Sequence, residues 1–148
     1  MQSHARDDEA RIRQLLDDYA DAICARDAKA AHEPYSDALV CFDLAPPLVF
    51  EGDDALDPAQ MQAWMETWSG PIENEARDLR IVIGGDVAFA HALRRMKGTK
   101  QDGEKVDLWF RATCGLRKEK GEWKIVHLHN SVPFYMDGSL RAATDLEP

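Results

Sequence analysis

The sequence predicts an α+β domain in which N-terminal helices pack on a strongly curved, mainly antiparallel sheet. Apolar residues recur at a spacing near 3.6 as far as Gly70-Pro71 and at a spacing of two beyond it. Turn signals at Gly84-Gly85-Asp86, Asp102-Gly103 and Lys118 to Gly121 divide the second half into four segments. Length sets the scale. With 148 residues, 45% of them hydrophobic, the chain encloses one substantial core and is too short for two ordinary domains, so residues 1–148 read as a single domain.

Each element has a local reason. Ile12, Leu15, Leu16, Tyr19, Ala20 and Ile23 share one helical face, behind Asp7, Asp8 and Glu9 at the positive end of the dipole, which places a first helix over roughly residues 7–26. Asp27 caps a short second helix through His32, and Pro34 ends it. ALVCFD (38–43) reads as a buried first strand, and LAPPLVFEGDDALD after it as a surface wrap. Asp57-Pro58-Ala59-Gln60 supplies an N-cap, a first-turn proline and a reciprocal glutamine for a third helix that carries Met61, Trp64, Met65 and Trp68. An antiparallel meander follows, with strands over roughly 72–83, 87–97, 105–117 and 122–132, long enough to demand strong bending.

Charge and composition exclude several partners. Eighteen Lys and Arg against 27 Asp and Glu give a formal charge of −9, which repels phosphate backbones and anionic lipids, so neither nucleic acid nor a membrane is expected as a partner. MQSHARDDEARIR carries mixed charge where a signal peptide needs an apolar run, so the cytoplasm is the expected compartment. Cys24, Cys41 and Cys114 are odd in number, widely spaced and set in apolar surroundings, as small buried residues rather than a disulfide or zinc scaffold. No nucleotide-binding loop, cofactor fingerprint or nucleophile motif is present, and no organic cofactor is expected.

Strand alternation selects candidate binding groups. His127, His129 and Ser131 share one parity of the last strand with Trp123 and Ile125, and imidazoles about 7 Å apart can share a ligand. A metal needs a third donor, and none accompanies them, so no metal site is expected; pocket lining and hydrogen-bonded structural histidines both remain open. Trp109, Arg111 and Thr113 share a parity on one neighbouring strand, and His91, Leu93 and Arg95 on the next. Facing a concavity, these sets would line a small-molecule pocket; otherwise Arg94, Arg95 and Arg111 form cross-strand ion pairs with the many carboxylates. Trp64 and Trp68, at i and i+4 with Met61 and Met65, serve a helix packed over a core and, at the pocket mouth, ligand contact as well.

The second half also carries a resemblance, through FAHALRRMKGT, DLWFRATCGLRK and GEWKIVHLHNSVPF. These segments resemble a bacterial SnoaL-like group that reads H-x-L-N-R…G-T, W-x-R-x-T and H-E-H-x-S-V-P, within the nuclear-transport-factor-2-like superfamily. Arg94 stands here where that group has Asn, and Leu128 where it has Glu. The resemblance implies a cone-shaped fold over nearly the whole chain, shared with SnoaL-like cyclases and ketosteroid isomerases. Ketosteroid isomerases place a tyrosine on the first helix and a general-base aspartate at the end of the first strand. Ungapped alignment of YADAICARD and DALVCFD with those segments lands on Tyr19 and Asp43. The carboxylate would take a proton beside a carbonyl while the phenol hydrogen-bonds the developing enolate. The matching strand offers Arg111 and Thr113 in place of that family's second carboxylic acid, so a steroid isomerase in the strict sense is not expected.

Two functional readings follow. The first is acid–base chemistry of isomerase, cyclase or hydrolase type on a small apolar carbonyl compound, with Asp43, Tyr19 and His127 catalytic and His91, Trp109, Arg111, His129, Trp64 and Trp68 binding substrate. The second is a non-catalytic ligand-binding or association module. A homodimer is expected in either case, because the outer face of the sheet would expose Val82, Phe110, Val126 or their neighbours. The tail after Pro133 reads as a surface or subunit-contact segment.

Overall fold

The computed structural model describes residues 2–148. Helix α1 (Gln2–Cys24) starts more than a turn earlier than its apolar stripe implies. Asp7, Asp8 and Glu9 therefore lie inside the helix rather than at its positive end. Asp8 is buried and accepts hydrogen bonds from Trp123 Nε1 at 3.0 Å and Lys118 Nζ at 2.9 Å, which tie α1 to the last hairpin of the sheet. Those two donors hold its carboxyl below the usual carboxylate range. Helix α2 (Ala28–His32) begins at the Asp27 cap, whose side chain accepts from Ala30 N–H.

Strand β1 (Tyr35–Phe42) begins three residues before the predicted start, directly after Pro34. The expected surface wrap contains two short elements, β2 (Phe50–Glu51) and α3 (Asp53–Leu56). Helix α4 (Pro58–Met65) has Asp57 accepting from Ala59 N–H at 2.9 Å and proline in its first turn. Among the described residues the Gln60 side chain makes no return bond; it lies on the rim of the cavity described below. The helix stops at Met65, ahead of Gly70, and Trp68 bridges to Lys100 on the sheet side.

The meander is β3 (Glu73–Gly84), β4 (Val87–Thr99), β5 (Lys105–Glu119) and β6 (Glu122–Ser131). The sheet order is β2-β1-β6-β5-β4-β3, antiparallel except where β1 runs parallel to β6. Three register shifts bend it: within β1 between Tyr35 and Val40, within β3 between Arg77 and Arg80, and in β6 opposite Gly115 and Leu116. In the last, Leu116 pairs with Ile125 and Gly115 with His127, so Val126 is the extra residue of a bulge. One extra residue reverses the faces of everything beyond it.

Helices cover the concave face in two apolar clusters. Ile12 and Leu16 of α1 pack with Leu39, Cys41, Ala90, Cys114, Leu116, Trp123, Ile125 and Leu128 of the sheet. At the other end Ala22, Ile23, Ala28, Ala31, Met65, Trp68 and Ile72 join α1, α2 and α4. Burying such side chains contributes roughly 1.5–3 kcal/mol each relative to exposure. Cys41 and Cys114 are buried and Cys24 half-buried, all as free thiols. Burial pushes both buried thiols up to about 12.

Candidate functional site

Between the two clusters lies a cavity of about 420 Å³, within the range that holds small-molecule ligands. Its walls draw Leu16, Tyr19 and Ile23 from α1, Met61 and Trp64 from α4, and Leu39 and Cys41 from β1. The floor is the inner row of the meander: Ala90, Ala92, Arg94 and Met96 of β4, Phe110, Ala112 and Cys114 of β5, and Leu128 and Asn130 of β6. Exposed Asp43, Leu44, Ala45, Asp54, Asp57 and Gln60 form the rim.

Few polar groups reach this apolar space. Tyr19 and Tyr35 join hydroxyls at 2.9 Å, with ring centroids 5.8 Å apart. Burial raises both phenols, Tyr19 to about 12, so both stay protonated, and the one that accepts within the pair keeps a proton to donate to an oxygen that gains charge. His32 lies edge-on to Tyr35 at 4.8 Å. Its Nδ1 donates to the Ala28 carbonyl at 2.9 Å. Asp43 Oδ1 accepts from Leu44 N–H at 2.7 Å and from Asn130 Nδ2 at 3.3 Å, and Oδ2 makes no bond among the described residues.

The structure brings Tyr19, Asp43 and Trp64 to one cavity and places most of the other candidates elsewhere. The bulge at Val126 keeps Trp123 and Ile125 inside but turns His127 and His129 to the outer face, against the parity read straight through the strand. There His127 Nδ1 donates to the Val40 carbonyl at 2.7 Å, and Phe42 meets both rings edge-on at 4.8 and 5.4 Å. Trp109 and Arg111 also lie outside. Arg77 and Arg95 sit over the Trp109 ring at 5.2 and 5.7 Å, and Arg111 Nε donates to Ser131 Oγ at 3.2 Å. Arg95 makes the cross-strand pair, bidentate on Asp107 at 2.7 Å. His91 borders the cavity, but its exposed ring stacks on Phe89 at 6.3 Å, so Leu93 and Arg95 share the outer face with it. Trp68 is 1% exposed in the helical cluster and does not line the cavity, while Phe110 does.

Sequence reasoning passed over Tyr35, His32, Asn130 and the inward direction of Arg94. Only Arg94 had a signal, its alternation with the small residues Ala90 and Ala92. Tyr35 follows a proline at a strand start, where nothing in the pattern marks it. Among the described residues, no three His, Cys, Asp or Glu side chains converge as a ligand group, and no helix is long and apolar enough to cross a membrane.

The comparisons agree with this architecture. A solved NTF2-like protein of unknown function from Pseudomonas putida KT2440 is 34% identical, with a TM-score of 0.84 over 97% of this chain and 98% of that one. A protein from Novosphingobium aromaticivorans DSM 12444, described as a candidate scytalone dehydratase, shares the fold at 14% identity and a TM-score of 0.77, over 100% of this chain and 99% of that one. So does one from Shewanella frigidimarina NCIMB 400, described as a candidate ketosteroid isomerase, at 20% identity and 0.66, over 80% of this chain and 92% of that one. The chain matches none of the curated proteins. The SnoaL-like domain model matches residues 12–135, from the first buried apolar residue of α1 to the chain just past β6. Spanning the helices, the sheet and the cavity between them, that match makes this chain a member of the SnoaL-like family, within the nuclear-transport-factor-2-like superfamily.

Proposed function

We propose that the chain is an acid–base enzyme, of isomerase, cyclase or hydrolase type, acting on a small apolar carbonyl compound bound in the cavity. One observation carries the reading: two half-buried tyrosine hydroxyls joined at 2.9 Å inside a largely apolar chamber whose rim holds a carboxylate with one oxygen open. Asp43 Oδ2 takes the proton from the carbon beside the carbonyl, and the electron pair moves onto the oxygen. The tyrosine that accepts within the Tyr19–Tyr35 pair donates its own proton to that oxygen, in surroundings where such bonds are stronger than in water. The outer-face placement of His127 leaves it out of this scheme.

Hydrogen–deuterium exchange at the α carbon of a panel of small ketones, followed by NMR, tests the assignment. Asp43→Asn keeps the shape and removes the base, so exchange should fall about 100-fold. Equal exchange in both proteins, with ligand binding intact, refutes it and favours the ligand-binding module.

We also propose a homodimer through the outer face. Val82, Val87 and Phe89 are about half exposed there (49%, 56% and 46%), on the face that also carries Phe42 at 38%. Further along the same face Arg95, Asp107 and Glu75 supply both signs of charge, as a self-complementary contact requires. A sedimentation mass of one chain at micromolar concentration would contradict this.

A further inference from the structure

Arg94 is the only Lys or Arg in the cavity wall among the described residues. It follows Ala90 and Ala92 along the inner row of β4 and is paired across the sheet with Ala76 and Phe110, neither of them acidic. Its neighbour in sequence shows what a satisfied arginine looks like here: Arg95 is bidentate on Asp107 and reaches Glu75. Arg94 makes no ion pair or hydrogen bond among the described residues. Of the carboxylates only the exposed Asp17 acts on it, through its charge and at a distance.

Desolvation lowers its pKa, and neighbouring groups oppose that shift. A guanidinium does not escape such a site by losing its proton, so its charge stays in the apolar wall and calls for an anion. The rim cannot supply the selection, because Asp43, Asp54 and Asp57 there repel anions. Preference for an anion has to arise inside.

We propose that the ligand of this cavity carries a carboxylate, held by the Arg94 guanidinium, which makes the substrate class a small apolar carboxylic acid. This rests on the reading of the cavity as a small-molecule site and adds the group that orients the molecule. A carboxylate at Arg94 leaves the rest of the molecule among Phe110, Met96 and Ala112 and within reach of the Tyr19–Tyr35 pair. An arginine–carboxylate contact is planar and two-pronged, so it fixes direction as well as charge.

Calorimetric titration with 1-naphthaleneacetate and its neutral amide tests the proposal. The acid should bind wild type at least about ten-fold more tightly than the amide, as expected for a charge-assisted pair. Arg94→Met, close in length and apolar, should erase that preference by weakening the acid far more than the amide. Arg94→Lys should retain part of it. Arg94→Met removes an unpaired cation from an apolar wall, so its melting temperature should equal or exceed that of wild type, and Arg94→Gln serves as a second neutral variant. Equal binding of acid and amide by wild type, or a preference that survives in both neutral variants, overturns the carboxylate assignment alone. Binding of neither probe overturns it together with the small-molecule reading. The exchange assay on Asp43→Asn reports separately on the chemistry.

Discussion

Gly98 sits near the end of β4 where the sheet passes beneath Trp68, and replacing it by alanine tests how tightly that end is closed. A Cβ at this position would meet Trp68 Cζ3 at 2.9 Å, with Trp68 Cε3 and the Pro71 carbonyl oxygen at 3.0 Å. The ring cannot swing away, because Trp68 is 1% exposed and packed among Met65, Ile72 and Ile23. Overpacking of this kind costs about 1–3 kcal/mol. Alanine also restricts the unfolded chain, which offsets about 0.4–1 kcal/mol. The net loss is about 1–2 kcal/mol, and at about 2–4 °C per kcal/mol for a domain of this size the melting temperature should fall about 2–8 °C. Thermal melts and urea unfolding followed by tryptophan fluorescence measure it. Gly84→Ala is the control, since nothing lies within 4 Å of its Cβ and it should be neutral or slightly stabilising. If Gly98→Ala melts at or above wild type while the control behaves as stated, the close packing of Trp68 over the sheet is wrong.

The tyrosine pair and Asp8 give two further tests. Tyr19→Phe and Tyr35→Phe each strand a partly buried hydroxyl and should each cost about 1–3 kcal/mol, whereas the double variant should cost clearly less than their sum; an additive cycle refutes the pairing. Asp8 has a folded-state pKa below its ordinary 3.8, so its contribution is full above the unfolded value and is lost as pH falls through the folded one. Asp8→Asn should therefore be less stable near neutrality and show a flatter loss of stability below about pH 4 in acid titrations read by circular dichroism.

What the sequence discloses depends on whether a pattern is unbroken. The stripe from Ile12 to Ile23 and the turns of the meander give the right elements in the right order, because each rests on local spacing and local turn chemistry. The site is harder to read, because facing depends on a single residue. Alternation through β6 puts His127 on the side of Ile125, and the bulge at Val126 reverses it. A trace of this lies on the facing strand: a Cβ on Gly115 would stand 3.3 Å from His127 Cβ, and a glycine inside a strand marks such a close approach. Along β4 the polar His91 and Arg95 attract attention, yet the cavity side is held by Ala90 and Ala92, because an open chamber needs small residues on its floor. Tyr35 becomes a site residue only when β1 lies parallel to β6, a long-range pairing that no local signal encodes.

The alanine floor has a consequence for how this lineage can diversify. Ala90, Ala92 and Ala112 set the depth of the chamber, and none of them carries a polar atom on its side chain. Exchanging one for valine or glycine makes the chamber shallower or deeper while Tyr19, Tyr35, Asp43 and Arg94 stay on their own backbone positions. Chamber size and the polar groups of its wall are thus separate heritable traits here, written in different codons. Descendants of a common ancestor can come to enclose a larger or smaller chamber by point mutation while keeping one set of polar groups around it.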